Sequence, residues 1–289
     1  MKKDRSSLSA LGIAVTRAVE SERPADERIC YDPYARQMVP GWFYYLTRFF
    51  IRSGYTEWRG PGVQGFLVAR ERYIDDYLEQ CIQDGIRQLV LLGAGYDARP
   101  YRFPALRGRV QCFEVDHPAT QADKRRKLER IPGRLAAEVV FVALDFDRQT
   151  LAEALPAHGY RSDRKTLFIW QGVTQYLTAQ AIDATLDFVV RHSAPGSALI
   201  FDYIYREALN GEGGHNEVAN MRRYRRLTEE LLTFGFARGS VSAYLEQRGF
   251  TAVRDADAET LRALYCTGKN AGRAITNGYG IASALTKTP

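Results

Sequence analysis

Long apolar runs are what this sequence most plainly lacks. A membrane-spanning helix needs roughly 20 mostly apolar residues. The greasiest stretch, Gly41-Trp42-Phe43-Tyr44-Tyr45-Leu46-Thr47-Arg48-Phe49-Phe50-Ile51-Arg52, is shorter and carries two arginines. No apolar core follows Met1-Lys2-Lys3-Asp4-Arg5-Ser6, so these residues do not read as a signal peptide. Cysteine is sparse: Cys30, Cys81, Cys112 and Cys266 lie far apart and form no CxxC pair. That spacing argues against a zinc site and a disulfide framework; no metal is expected, and the cytoplasm is the expected compartment. Gly/Ser linkers and internal repeats are missing too, which favours one domain over two.

What is present is the balance of an ordinary globular protein. Hydrophobic residues make up 45% and charged residues 26% of 289, enough to bury a full-sized core without metal or disulfide staples. The net charge of +6 comes from 40 basic and 34 acidic residues that are interspersed. The one dense basic-aromatic run, Met221-Arg222-Arg223-Tyr224-Arg225-Arg226, reads as a solvated helix face. Neither a nucleic acid nor a membrane is therefore expected as a partner, and the oligomeric state is not legible.

Residues 9–85 read as helix-rich, and apolar positions 67, 74, 78 and 82 share one helical face. Gly85 is positioned to end that helix. From residue 86 the pattern changes. Ile86–Leu92 is an apolar run stopping at Gly93-Ala94-Gly95; Arg109–Asp116 and Val139–Asp145 both end in acid; Leu167–Gln171 and Ala198–Tyr203 follow. Thr178 offers an N-cap to the helix between the last two runs. Gly249–Val253 resumes strand character, and Ala274–Leu285 is placed to supply a last strand. Continuous apolar strands alternating with helices predict a doubly wound α/β core with a mostly parallel sheet.

Ligands in such sheets bind beyond the carboxyl ends of the strands. The first run ends in Gly93, Ala94 and Gly95, where the backbone can approach a ligand closely. Asp116, 23 residues after Gly93, is spaced to accept both hydroxyls of a ribose. Asp145 and Phe146 are placed to meet an adenine edge and face. A dinucleotide fingerprint would need a further glycine and a free helix N-terminus for pyrophosphate. Here the turn continues Tyr96-Asp97-Ala98-Arg99-Pro100, with an acid that repels phosphate. A nucleoside cofactor with no phosphate but with an amino group and a sulfonium suits this turn, which points to S-adenosylmethionine.

The ordered motifs carry a resemblance. They are Thr16-Arg17-Ala18, Tyr31-Asp32-Pro33-Tyr34-Ala35, Ala69-Arg70 with Tyr73-Ile74-Asp75-Asp76, and Arg87–Arg99. Phe113-Glu114-Val115-Asp116-His117-Pro118 with Lys124 follows, then Asp145-Phe146, Gly172-Val173-Thr174-Gln175-Tyr176-Leu177, Thr233-Phe234-Gly235-Phe236 and Arg248-Gly249-Phe250. The chain resembles the leucine carboxyl methyltransferase family, and most of all its bacterial small-molecule branch of tetracenomycin-type carboxyl O-methyltransferases. The resemblance implies a class I methyltransferase: a Rossmann-like, doubly wound, seven-stranded α/β sheet with an N-terminal helical extension and a helical lid insertion. Its implied layout is one domain over 1–289, with a helical cap over 1–85, a cofactor-binding core over 86–204, a lid over 205–240 and C-terminal strands over 241–289. It implies Asp116 at the ribose, Asp145 and Phe146 at the adenine, Gly93 and Gly95 along the methionine moiety, and Arg17 and Arg70 at its carboxylate.

The family usually carries glutamate where this chain has Gln171, after Trp170. The loss of charge reads either as a tolerated replacement, as a pocket opened to a more anionic acceptor, or as loss of activity. The expected reaction is methyl transfer to a carboxylate of a small metabolite, such as a natural-product acid. A carboxylate is ionised at neutral pH and needs no base; a phenol or alcohol would. Bases near the strand ends are few, with His117 the nearest. Tyr176, Tyr203, Arg99 and His117 are the candidate substrate contacts. The alternatives are a phenol or alcohol acceptor, a protein C-terminal carboxylate, a non-catalytic cofactor-binding module and, least of all, a dehydrogenase.

Overall fold

The apolar runs become parallel strands because both of their faces are covered. In the computed structural model, which describes residues 8–131, 139–144, 149–228 and 231–287, the strands are β1 (Gln88–Leu92), β2 (Gln111–Asp116), β3 (Val139–Ala143), β4 (Thr166–Trp170), β5 (Ala198–Ile204), β6 (Phe250–Ala256) and β7 (Tyr279–Thr286). They form one sheet in the order β3-β2-β1-β4-β5-β7-β6. The first five are parallel, and β7 inserts antiparallel between β5 and β6. The sequence places an acid at the tip of the third strand, but Asp145 and Phe146 lie outside the described residues.

Twelve α-helices surround the sheet among the described residues: α1 (Leu8–Ser21), α2 (Gly41–Arg52), α3 (Tyr55–Arg59), α4 (Val63–Gln83), α5 (Arg99–Arg102), α6 (Pro118–Leu128), α7 (Leu151–Ala157), α8 (Ala179–Arg191), α9 (Arg206–Asn210), α10 (His215–Thr228), α11 (Val241–Glu246) and α12 (Ala258–Tyr265). Gly85 closes α4 with a left-handed φ of 83°, and the Thr178 hydroxyl accepts from Ala181 N at 3.2 Å to cap α8.

The two-residue period of a strand divides the core into two layers. Val90, Leu92, Phe113, Val115, Phe168 and Trp170 point to the layer packed by Leu155 of α7 and by Ile182, Leu186 and Val189 of α8. Leu89, Leu91, Cys112, Leu167 and Ile169 point to the layer packed by Phe66, Ala69, Ile74 and Leu78 of α4 and Leu261 of α12. A third cluster joins Ala14, Val15 and Ala18 of α1 to Met38, Tyr44, Tyr96 and Tyr101, and so brings α1 against the turn after β1.

Helix α4 is pressed backbone to backbone against the approach to β7. Thr276 N donates to Gly62 O at 3.0 Å, and a Cβ on Gly65 would collide with the carbonyl oxygen of Ala274. Gly65→Ala is therefore expected to lower stability by about 1–3 kcal/mol, the usual cost of overpacking. Gly12→Ala, whose Cβ would meet nothing within 4 Å, should instead stabilise α1 by about 0.5–1 kcal/mol. Thermal or denaturant melts of both variants check the contrast; equal midpoints would contradict it.

Candidate active site

The strand order reverses between β1, which continues to β2 on one side, and β4 on the other. The crevice beyond their carboxyl ends is where an α/β sheet takes a ligand. Gly93 turns the chain there at φ 69°, and a Cβ on it would collide with Val173 beyond β4. Gly93 N and Ala94 N donate to Val115 O at 2.8 and 3.0 Å, which ties the turn to β2. The Asp116 carboxylate accepts from Gly95 N at 2.5 Å and from His117 N at 2.6 Å. These bonds orient the carboxylate and leave it acceptor capacity. Burial raises its pKa, against the lowering effect of the two N–H groups. Lys124, fully buried, donates to Asp97 O at 2.6 Å and pairs with Glu114 at 2.7 Å. It holds the far side of the same turn.

Helix α1 roofs the crevice. Ala10 stands over Gly95, while Ile13 and the Arg70 guanidinium stand over Gly172. Arg17 is placed by three partners: Asp32 at 3.0 Å, Tyr96 O at 2.5 Å and, more distantly, Glu71 at 3.8 Å. Asp32 in turn accepts from Tyr34 N and Ala35 N, so the Asp32-Pro33 motif is a turn that anchors Arg17. Arg70 is different. Its Nη1 donates to Asp202, whose other oxygen accepts from Gly172 N at 2.5 Å. Its Nε and Nη2 are buried without a hydrogen-bond partner among the described residues.

That orphaned pair tests the expected cofactor. A buried donor left unsatisfied costs about 1–3 kcal/mol, and a carboxylate satisfies a two-pronged guanidinium edge. Arg70 beside Gly172, Asp116 beside Gly95 and the bare Gly93 turn fit a group carrying a carboxylate at one end and ribose hydroxyls at the other. S-adenosylmethionine has both. Arg17 already has carboxylate and carbonyl partners, so Arg70 is the better-placed fork.

Behind the crevice lies an ion cluster that composition could not reveal. Arg99, 0% exposed, contacts Asp75 at 2.7 Å, Asp97 at 2.5 Å, Glu71 at 3.0 Å and Gln171 Oε1 at 2.8 Å. Arg102 joins it through Glu71 at 3.0 Å and Asp75 at 2.7 Å. Gln171 Nε2 donates to Glu71 at 2.8 Å. Burial alone would raise the Glu71 carboxyl; Arg99, Arg17 and Arg102 outweigh it and hold its pKa below the ordinary value. Gln171 is thus an amide set between a cation and an anion, its oxygen toward Arg99 and its nitrogen toward Glu71. A glutamate here would face the Glu71 carboxylate.

Two candidate substrate contacts are corrected by this geometry. Arg99 is sealed inside the ion cluster. Tyr203 is buried on the opposite face of β5, against Tyr205 and Phe236, with its hydroxyl on Asp255 at 2.6 Å. His117 caps α6 by accepting from Ala119 N at 3.3 Å. Tyr176 does reach the lid segment: its hydroxyl meets that of Tyr224 on α10, which in turn meets Ser9 Oγ of α1 at 2.8 Å. The sequence reading missed Asp202, Glu71 and Arg102 as site residues. Their signals were an acid inside the apolar run Phe201-Asp202-Tyr203, acids four apart at 71 and 75, and arginines three apart at 99 and 102.

The chain is similar to known proteins in sequence and in fold. Residues 10–190 match the family described as leucine carboxyl methyltransferase. A Mycobacterium tuberculosis (H37Rv) protein, provisionally named an S-adenosyl-L-methionine-dependent methyltransferase, is 30% identical over 263 residues, covering 84% of this chain and 82% of its own length. A Bacillus subtilis protein of the same provisional description is 31% identical over 182 residues; the match covers 63% of this chain and 60% of that protein. The solved apo structure of the S-adenosylmethionine-dependent methyltransferase SibL shares the fold, with a TM-score of 0.51 at 12% identity over 97% of this chain and 70% of that one.

The Gln171 geometry makes a quantitative prediction. Gln171→Glu should destabilise the fold by about 1–3 kcal/mol, the cost of an unsatisfied charged contact. In the double variant Glu71→Gln/Gln171→Glu, donor and acceptor change places. Adjacent residues of one network couple by about 0.5–3 kcal/mol, so the double variant should recover much of the loss. A denaturation cycle over the four proteins measures it, and strictly additive changes would show that the bridge contributes nothing.

Proposed function

The chain belongs to the leucine carboxyl methyltransferase family, and we propose that this S-adenosylmethionine-dependent methyltransferase esterifies a carboxylate of a small-molecule acid. One observation carries the choice of acceptor. Among the described residues beside the strand ends, each acid is already engaged by a cation or by backbone N–H groups. Glu71, Asp75 and Asp97 are held by arginines, Asp202 by Arg70 and Gly172 N, and Asp116 by Gly95 N and His117 N. The His117 ring caps a helix. This set supplies poor general bases, and a carboxylate acceptor needs none, being ionised at neutral pH.

When bound, S-adenosylmethionine supplies a methyl group carried on a sulfonium cation. The chain's own work is to bind, orient and exclude water. Arg70 takes the amino-acid carboxylate, Asp116 the ribose hydroxyls, and Gly93 and Gly95 leave room for the chain between them. The cluster around Arg99 fixes the turn after β1 relative to β4, and hence the distance between these contacts. Helices α9 and α10 of the lid segment close over the crevice together with α1 of the cap. Ser9, Tyr224 and Tyr176 close it as a chain of hydroxyls, and Asn220 Nδ2 adds a 3.1 Å bond to Pro61 O. An acid entering beneath α10 meets the Tyr176 end of this hydroxyl chain, where the Tyr176 hydroxyl donates to it while accepting from Tyr224. The acceptor side is apolar around them: Met221, Ile204 and Tyr279 share their cluster.

Methyl-labelled cofactor offered with small acids, phenols and peptides ending in a free carboxylate tests the acceptor. The expected product is a base-labile methyl ester of a small acid, with a kcat that stays flat from neutral to alkaline pH. Transfer confined to phenols, with a rate climbing as pH rises, would overturn the reading; so would transfer confined to peptide tails.

The cofactor contacts are tested separately by S-adenosylhomocysteine titration. Charge-assisted hydrogen bonds contribute about 1.5–3 kcal/mol, so Arg70→Ala should weaken binding about 10- to 150-fold. Asp116→Ala should weaken it comparably. Protonation removes the charge with which Asp116 accepts the ribose hydroxyls, so affinity should fall as pH falls. Because burial raises this pKa, the fall should begin above the ordinary aspartate value of about 3.9. In Asp116→Asn that pH dependence should vanish. Unchanged affinity in both position-116 variants would remove Asp116 from the site.

A further inference from the structure

Among the described residues, most of the exposed large hydrophobic side chains are gathered on one surface. Trp42, Tyr45, Leu46 and Phe49 occur at i, i+3, i+4 and i+7 of α2. That is the spacing of a single helix face, and this face points to solvent: Trp42 is 71% and Phe49 66% exposed. The opposite face of α2 is already used, since Tyr44 is buried against the cluster of α1 and Tyr96. The surface continues onto α3. Phe50 meets Tyr55 at 5.2 Å and Tyr55 meets Trp58 at 5.8 Å between ring centroids, and Trp58 is 72% exposed. A contiguous exposed patch of this kind marks a contact surface.

The charges beside it decide the kind of partner. Arg48 and Arg52 follow Tyr45 on one flank of the helix and share a single carboxylate, Glu22, each at 2.7 Å. Arg36 lies over the rings of Tyr44 and Tyr45 at 4.2 and 5.5 Å. Arg59 lies over Trp58 at 5.9 Å. The one acid within α3, Glu57, is turned to Gly62 N at 2.7 Å. The flank is therefore net positive. A second copy packed across a two-fold axis would bring a patch of the same positive sign, because an isologous contact uses the same patch twice. The complementary partner is apolar at its centre and negative at its surface.

Against the expectation from composition that no membrane is a partner, we propose that the α2–α3 face is a peripheral docking surface for an anionic lipid bilayer. Tryptophan and tyrosine rings settle at the headgroup level of a bilayer. A helix with an aromatic face and flanking arginines lies in the interface plane, where anionic lipids add attraction. The face is the outer side of α2 and α3, and the inner side of α2 packs with α1 against the turn after β1. No helix of the described residues is long and apolar enough to cross a membrane; this mode needs none.

The three tryptophans make the test direct. Trp42 and Trp58 are on the face, and Trp170 is 1% exposed in the core, so its emission reports no contact. Mixing the protein with vesicles of phosphatidylcholine containing phosphatidylglycerol should shift tryptophan emission to the blue and carry the protein into the pellet. Phosphatidylcholine vesicles alone should bind several-fold less, and added salt should weaken the anionic binding. Trp42→Ser/Phe49→Ser and, separately, Arg52→Ser/Arg59→Ser should lose binding while S-adenosylhomocysteine still raises the melting temperature, which shows that both variants fold. No shift with either vesicle would overturn the proposal, as would equal binding to both. A concentration-dependent dimer abolished by Trp42→Ser/Phe49→Ser, without vesicle binding, would assign the face to a second copy instead.

Discussion

Arg99 carries a full charge at a position with no solvent, and it does so because Glu71, Asp75, Asp97 and Gln171 take up its N–H groups. Those partners come from three places in the chain: α4, the turn after β1 and the end of β4. The cluster is thus a rivet through the element junction from which the crevice is built. Buried ion pairs roughly break even against apolar packing of the same volume, whereas losing one partner of such a pair costs about 3–5 kcal/mol. Its return is therefore geometric. The directional bonds admit one relative placement of three elements, where an apolar contact would tolerate sliding.

The reactive side of the molecule depends on that placement. Glycines 93 and 95 leave space, Asp116 and Arg70 give the space two chemically different ends, and the rivet sets how far apart the ends lie. Asp202 and Lys124 act one step behind. Asp202 orients one prong of Arg70 and leaves the remaining edge open. Lys124 fixes the turn through Asp97 O. The same logic explains why Gln171 need not mean a weakened site. The amide is what the neighbouring Glu71 requires, because two carboxylates at that distance would repel.

Much of the sheet was legible because parallel strands buried on both faces must be apolar throughout, as Leu89–Leu92 and Leu199–Phe201 are. The places of Gly93 and Asp116 at the strand tips were legible because a buried apolar run breaks off where a glycine turns the chain or an acid needs hydrogen-bond partners. Arg99 and Tyr203 misled for a common reason. A polar residue beside a strand end looks available from the sequence, and only packing reveals whether its partners are protein or ligand. Tyr203 alternates with Asp202 along β5, so one step along the strand sends Asp202 to Arg70 and Tyr203 to the opposite layer.

The sequence by itself determined the secondary-structure alternation, the carboxyl-end turn and the acid one strand away, because these depend on local periodicity and on residue types that few environments tolerate. Tertiary structure alone decided which arginine keeps open donors, why residue 171 is an amide, and which aromatic residues of α2 face the core. Each of those answers rests on contacts between segments distant in the chain. An isolated guanidinium or ring has the same chemistry in either setting; its role is set by which neighbours have already satisfied it.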